Sequence, residues 1–499
     1  MPSHLEQTAC YPQRSALKVS RYTHVFRYPD GLTLAYNSLS GSLLDLQGQA
    51  GQQAATALEH DTSHVEDPVY EGTLTDGGFL VDSDVNEINV VQEIWRKGRR
   101  KKGDVILTIL PTLACNFRCP YCFERHTTGL MSPTVQDALV RFTSRHLLPN
   151  SDAMSIDWFG GEPLSGISVI ESLTQRFRTA CEELGMPWPT ASITTNGYLL
   201  NSEMYASLAK LGVTSAQITL DGPPGIHNRR RPLAGGLPTF DTIIQNIKDA
   251  PDGFSLGIRI NVDSGNKDHI FDLIKLLHAQ GIIPRTTVYI GMVESFSDEC
   301  RSSDGIFLSS GEFAKLRQDL NRCCKSAGIP WSSTESPRLV AYGYCIVDQP
   351  KGFVVQPDGK LLKCWAEAGN STARPVADLL QEETWSRLFT RHKANGDTSR
   401  KKQKIETPLF VIDQPSDCSS IVSPVSPLQN RDPFDDEECC ECSLLPVCMG
   451  GCPTIRARLR NQRIKQCPPL RYSLREEVLA LYLQQKSGEP ARTRPLQNI

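Results

Sequence analysis

Between residues 104 and 295, short apolar β-rich runs alternate with helical stretches six times over. The runs are VILTIL (105–110), MSIDWF (154–159), ASITT (191–195), SAQITL (215–220), SLGIRINV (255–262) and TTVYIGMV (286–293). Helical periodicity fills the gaps, as in SPTVQDALVRFTSRHLL (132–148), NSEMYASLAKLG (201–212) and KDHIFDLIKLLHAQG (267–281). Ser132-Pro133 is a strong helix start, and Gly212 and Gly281 are strong stops. Strands separated by helices pair in parallel, because a crossover helix returns the chain to the same edge. No Gly-x-Gly-x-x-Gly fingerprint follows a strand, so a partial (β/α)6 barrel is expected rather than a dinucleotide fold. Barrels of this kind carry their chemistry at the C-terminal ends of the strands.

The chain has 499 residues, enough for two or three domains. Residues 18–95 read as a small leading domain of short strands and helices ending near Trp95, after a disordered N-terminus over 1–17. RKGRRKKG (96–103) reads as a solvated linker. A third region, 300–485, contains a Pro- and Ser-rich insertion over 395–436, expected to be mobile, and a disordered tail follows over 486–499. The formal charge of −3 gives no electrostatic reason to expect nucleic acid or an anionic membrane as partner. No signal peptide and no apolar run long enough to span a bilayer is visible, so a cytoplasmic protein is expected.

Seventeen cysteines are present. In a reducing compartment they read as metal ligands or catalytic groups rather than disulfides. CNFRCPYC places Cys115, Cys119 and Cys122 directly after the first strand run. About 0.02 occurrences of this spacing are expected by chance in a chain of this length and cysteine content. Thiolates are soft ligands suited to iron–sulfur clusters and zinc. Three thiolates on a four-iron cluster leave one iron open to bind a small molecule.

These residues resemble the signature of the radical S-adenosylmethionine (radical SAM) enzymes. The resemblance implies that Cys115, Cys119 and Cys122 hold a catalytic [4Fe–4S] cluster whose fourth iron binds SAM. Reductive cleavage then gives methionine and a 5′-deoxyadenosyl radical, with the electron coming from a donor such as flavodoxin or ferredoxin. WFGGEP (158–163), after the second strand, resembles the family's GGE motif. It implies that the backbone at Gly160 and Gly161 approaches SAM and that Glu162 accepts hydrogen bonds from the methionyl ammonium. TTNG (194–197), TLDG (219–222) and RINVD (259–263) end the next three strands. By the same resemblance Asn196, Thr219, Arg259 and Asn261 contact SAM, and Phe123 packs on the adenine. HNRRRP (227–232) resembles the His-Asp-x-x-Arg-Pro stretch of the maturase branch, with Asn228 in place of Asp. Its basic residues are either peptide-steering groups or a solvated loop.

Cys345, the turn Pro357-Asp358-Gly359, Cys364 and the run CCECSLLPVCMGGC resemble the SPASM domain, which binds auxiliary clusters. The bland alternative is a pair of zinc knuckles. By resemblance Cys439, Cys442, Cys448 and Cys467 hold one auxiliary [4Fe–4S] cluster, with Cys440 as the alternative to Cys439. Cys345, Cys364 and Cys452 hold the other, its fourth ligand being Cys323, Cys324 or an open position. Cys10, Cys181, Cys300 and Cys418 read as buried packing. Auxiliary clusters suit net two-electron oxidation of a substrate.

The leading domain resembles the winged-helix-like module with which peptide-modifying SPASM enzymes dock a leader peptide as an added strand. The implied function is oxidative modification, a C–C or thioether crosslink, of a ribosomally made precursor peptide carrying a leader sequence. The related alternative is a sulfatase-maturating enzyme forming formylglycine. Those enzymes have an Asp where this chain has Trp365, with Glu367 two residues on. A non-catalytic iron–sulfur or zinc protein is the reading from a different class.

Overall fold

A computed structural model of the chain describes residues 16–62, 67–100, 104–294, 307–333, 345–370, 373–386, 433–459 and 467–487, with single positions 65, 337 and 388. In the leading domain, β1 (Leu17–Val19) pairs antiparallel with β5 (Leu80–Asp82). Strands β2 (Thr23–Arg27), β3 (Thr33–Asn37) and β4 (Leu43–Asp45) form an antiparallel meander. Helices α1 (Gly48–Glu59), α2 (Pro68–Asp76) and α3 (Glu87–Arg100) complete it. Two expectations change here. Ordered structure begins within the expected N-terminal tail, since β1 starts at Leu17. The basic run is helical as far as Arg100, because Lys and Arg are good helix formers and cations suit a helix C-terminus. Residues 101–103 lie outside the described residues.

All six strand runs form strands: β6 (Val105–Ile109), β7 (Met154–Trp158), β8 (Thr190–Thr195), β9 (Val213–Thr219), β10 (Ser255–Val262) and β11 (Thr287–Met292). They pair in parallel and in chain order. Helices α4 (Pro133–Phe142), α5 (Ile167–Glu183), α6 (Ser202–Lys210), α7 (Pro224–Arg230), α8 (Phe240–Lys248) and α9 (Ile270–Ala279) join them. Their starts are chemically marked. Ser132 accepts from the Val135 N–H with Pro133 behind it, and Asn201 accepts from the Met204 N–H. At the far end of α6 and α9, Gly212 and Gly281 take the left-handed conformation (φ 75° and 69°). Residues 143–147 widen into a π-helical turn after α4.

One core holds the sheet and its helices together. Leu107, Ile109, Trp158, Ile193, Ile218 and Ile258 are fully buried, each contributing roughly 1.5–3 kcal/mol by removal from water.

The C-terminal region is continuous with this sheet. Strand β12 (Gly352–Val355) pairs in parallel with β6, Gly352 opposite Ile106 and Val355 opposite Ile109. The turn at Gly359 (φ 89°) returns the chain as β13 (Lys360–Leu362), and β14 (Ala377–Asp378) pairs with β13. The sheet therefore has nine strands, in the order β11-β10-β9-β8-β7-β6-β12-β13-β14. Helices α10 (Ser310–Ser326) and α11 (Glu382–Ser386) flank the hairpin in sequence, and α12 (Glu437–Glu441), α13 (Leu445–Cys448), α14 (Pro453–Leu459) and α15 (Leu470–Ser487) follow. A buried ion pair, Arg317–Glu477 at 2.8 Å, ties α10 to α15.

Most of the expected insertion, 395–432, lies outside the described residues. Its last four residues are structured: Pro433–Asp435 form a 3-10 turn and Asp436 caps α12. Likewise α15 extends to Ser487, two residues into the expected tail, and 488–499 lie outside the described residues. Among the described residues no helix is long and apolar enough to cross a membrane.

Candidate active site and metal centres

A cavity of about 190 Å³ opens at the C-terminal ends of β6–β11. Cys115, Cys119 and Cys122 line it, with Phe123, Gly160, Gly161, Asn196, Thr219, Arg259 and Asn261. The three thiols are close enough to raise one another's proton affinity, but burial is the larger cause. It pushes Cys115 up to about 12. Arg231, fully enclosed, lowers the charge cost at Cys119. Nitrogen atoms face two of the sulfurs: the Phe117 N–H lies 3.4 Å from Cys115 Sγ, and the ring nitrogen His126 Nε2 lies 3.7 Å from Cys122 Sγ. Three convergent thiols, a neighbouring cation and an open cavity fit an iron–sulfur cluster with one open iron.

The GGE segment is a clamp on the cysteine loop. The Gly161 N–H donates to Thr112 O (3.2 Å) and the Glu162 N–H to Ala114 O (2.9 Å). A Cβ at Gly160 would stand 2.4 Å from Thr112 O, and one at Gly161 2.4 Å from Ala114 O. The glycines are thus required by the neighbouring backbone as well as by any ligand. Glu162 is held by the chain itself. It is fully buried and does not line the cavity. Its carboxylate accepts from Thr195 Oγ1 (2.7 Å), Asn196 N (2.9 Å) and Leu164 N (3.0 Å). These bonds tie the end of β8 to the second βα turn, because a carboxylate offers four acceptor sites to donors that have no other partner in the dry interior.

Asn196 donates through Nδ2 to Asn116 Oδ1 (2.7 Å) within the cysteine loop. Arg259 Nε donates to Asn261 Oδ1 (2.8 Å), and Asn261 N to Asp221 Oδ1 (3.1 Å). Phe123 meets Trp365 with ring centroids 5.3 Å apart.

The HNRRRP stretch does not form a free basic surface. Buried His227 accepts the Asp221 N–H at Nδ1 (3.2 Å), and Asn228 Oδ1 accepts from Thr239 N and Phe240 N, both 2.9 Å. Arg230 grips Asp263 with two bonds (2.9 and 2.7 Å), and Arg231 donates to Tyr121 Oη (2.6 Å), which in turn bonds Asp221. Arg229 alone is exposed.

Sequence reasoning passed over several cavity residues: Tyr121, Glu124, His126, Asp157, Gln217 and Glu294. Asp157 and Gln217 had a signal, since each is a polar interruption in an apolar strand. Burial raises Asp157 to about 6, Glu294 to about 7 and Glu124 to about 8.

Two further cysteine groups form. Cys439, Cys442, Cys448 and Cys467 line one small cavity with Arg471. Burial raises Cys448 to about 12, with the other three thiols adding to the effect. Cys440 faces away, its Sγ 3.3 Å from Phe434 O. Cys345, Cys364 and Cys452 form the other group: Cys364 and Cys452 both raise the charge cost at Cys345, and Cys452 raises that at Cys364. Cys323 is exposed on α10, and Cys324 is buried in the main core beside the sheet. Cys181 is also buried core, whereas Cys10, Cys300 and Cys418 lie outside the described residues. Four convergent thiols in one group and three in the other fit thiolate-bound metal centres.

Residues 109–277 match the radical SAM superfamily. Together, the fold, the cysteine loop and that match define a radical SAM domain followed by a cysteine-rich C-terminal region. Among curated proteins, the chain is 22% identical over 257 residues to the radical SAM cyclopropyl synthase TigE of Paramaledivibacter caminithermalis, covering 44% of this chain and 54% of that protein. It is 29% identical over 138 residues to a cysteine-type anaerobic sulfatase-maturating enzyme of Clostridium perfringens, covering 26% and 36%. The chain thus spans about half or less of the length of these two relatives. Among solved structures, anSMEcpe with bound AdoMet and Cp18Cys peptide superposes with a TM-score of 0.55 at 17% identity, covering 76% of this chain and 99% of that one.

Proposed function

We propose that this chain is a peptide maturase that oxidatively crosslinks side chains of a ribosomally made precursor peptide. One observation carries the reading. Two residues lining the cavity that holds Cys115, Cys119 and Cys122 adjoin the second cysteine triplet: Trp365 directly follows Cys364, and Glu294 is near enough to raise the charge cost at Cys452. A substrate between two redox-capable centres suits a reaction that removes a hydrogen atom and then an electron and a proton. When bound, the cluster and SAM supply the hydrogen-abstracting radical.

The chain's residues do the rest. Glu162, Asn196 and the paired glycines fix the cysteine loop. Phe123, Phe159 and Trp365 exclude water from one wall. Asp157, held through Oδ1 by Ser192 Oγ (2.9 Å), retains a second oxygen to accept a proton. Two auxiliary clusters, on Cys345/Cys364/Cys452 and on Cys439/Cys442/Cys448/Cys467, and a flavodoxin or ferredoxin donor belong to this proposal. So does a leader peptide on the leading domain. The likeness of this fold to anSMEcpe in complex with a peptide supports a peptide substrate. The sulfatase-maturating relative keeps formylglycine formation as the second reading, against which Trp365 stands.

Co-expression with the short reading frame nearest the gene, under anaerobic conditions, tests the proposal. Loss of two hydrogens per modified site is expected in the peptide's mass spectrum. An unchanged peptide, with a sulfatase Cys or Ser peptide converted to aldehyde instead, overturns it.

A further inference from the structure

The three sulfurs of the cysteine loop have different surroundings. Cys115 faces a backbone N–H, from Phe117 at 3.4 Å, and stands 4.0 Å from Asn196 Nδ2. Cys119 is under the field of Arg231. Cys122 faces a side-chain donor four residues further along the same loop, with His126 Nε2 at 3.7 Å. That distance is ordinary for an N–H···S bond, and it also suits two ligands on one tetrahedral ion, so direct ligation is one outcome of the test. Glu124 completes a compact trio, the ligand atoms of Cys122, Glu124 and His126 lying within 4.8 Å of one another.

We propose that His126 donates an Nε2–H···Sγ hydrogen bond to the Cys122 thiolate and so sets the reduction potential of the cluster that this loop holds. The chemistry fixes the direction of the bond. An iron-bound thiolate carries no hydrogen, so only the imidazole can donate. A donor to a cluster sulfur withdraws electron density and stabilises the reduced, more negative state. A bond to a charged acceptor is the strong kind. The role is one of tuning: His126 acts through Cys122, and no electron or proton passes through it. The inference rests on the cluster assignment in the proposed function.

The test uses the full chain, reconstituted with iron and sulfide under anaerobic conditions, with 15N-histidine in one preparation. The component of the reduced-cluster EPR signal that changes on adding SAM reports the cluster with the open iron. Its midpoint is followed by redox titration in wild type, His126→Ala and His126→Gln. At a fixed potential near the midpoint, the reduced-to-oxidised ratio of this component should fall about ten-fold in H126A, about 59 mV for a one-electron couple. H126Q, which keeps an N–H at similar reach, should recover most of it. Pulsed EPR of the wild type should show a weak 15N coupling that H126A lacks, a readout that stands even if H126A fails to assemble.

An unchanged midpoint in H126A overturns the inference, as does the absence of any 15N coupling. So does a strong coupling, which would make His126 an iron ligand. The absence of any SAM-responsive signal in the wild type would instead overturn the cluster assignment itself.

Discussion

Replacing Glu162 is the sharpest test of how this site is built. In Glu162→Ala three buried donors lose their acceptor: Thr195 Oγ1, Asn196 N and Leu164 N. A hydrogen bond to a charged group contributes about 1.5–3 kcal/mol, and a buried donor left without a partner costs about 1–3 kcal/mol. Some relief comes from water entering the space left by the carboxylate, so a net loss of about 4 kcal/mol is expected. For a domain of roughly 200 residues each kcal/mol moves Tm by about 2–4 °C, giving a fall of roughly 10 °C. Glu162→Gln keeps the shape and one acceptor oxygen but turns an amide N–H toward a donor, so about half that loss is expected. The assay is an anaerobic thermal melt of the iron-loaded chain, with SAM affinity measured by equilibrium dialysis. SAM binding should weaken in both variants, because Asn196 and the cysteine loop lose their anchor. A Glu162→Ala protein melting within a degree of wild type would refute the clamp. One that keeps its Tm but loses SAM affinity would return Glu162 to direct ligand contact.

Four other outcomes are expected. A triple Ser variant of Cys115, Cys119 and Cys122 should abolish SAM cleavage while retaining the iron of the C-terminal region; elemental analysis with a deoxyadenosine assay checks both. Cys439→Ser should lose about four irons and Cys440→Ser none, by iron and sulfide content. Gly161→Ala should drive a Cβ into Ala114 O and displace the cysteine loop, read as loss of SAM binding of at least ten-fold. Asp157 holds its proton up to about pH 6 in the folded chain but only to 3.8 unfolded, so its contribution to stability is present below the unfolded value and lost as pH rises through 6. Asp157→Asn should therefore flatten the pH dependence of Tm between about pH 4 and 6, whereas an unaltered slope there would refute the assignment.

Much of this was legible in the sequence because it depends on local chemistry. Strand and helix positions follow from the two hydrophobic periods, and from caps such as Ser132 and Asn201 whose partners lie within three residues. The cysteine loop is similarly local, since three thiols in eight residues need no distant contact to come together. Asp157 and Gln217 were open to a closer reading. A polar side chain on the inner face of a strand is costly unless the barrel interior is a site.

What the sequence left open depends on contacts between distant segments. Whether Glu162 points into the cavity or beneath it is decided by Thr195 and Asn196, more than 30 residues away. HNRRRP reads as a basic surface until Asp221, Asp263 and Tyr121 are brought against it, and then its arginines neutralise buried acids. Parallel pairing of β12 with β6 joins residues about 245 apart and turns an expected separate domain into the continuation of the barrel sheet. The sequence alone determined which residues make strands and helices and which cysteines cluster in one loop, because these are set by bonding and solvation within a few residues. Only the tertiary structure decided which buried charges face the cavity and which face one another, because burial makes each charge seek its partner wherever the fold brings it.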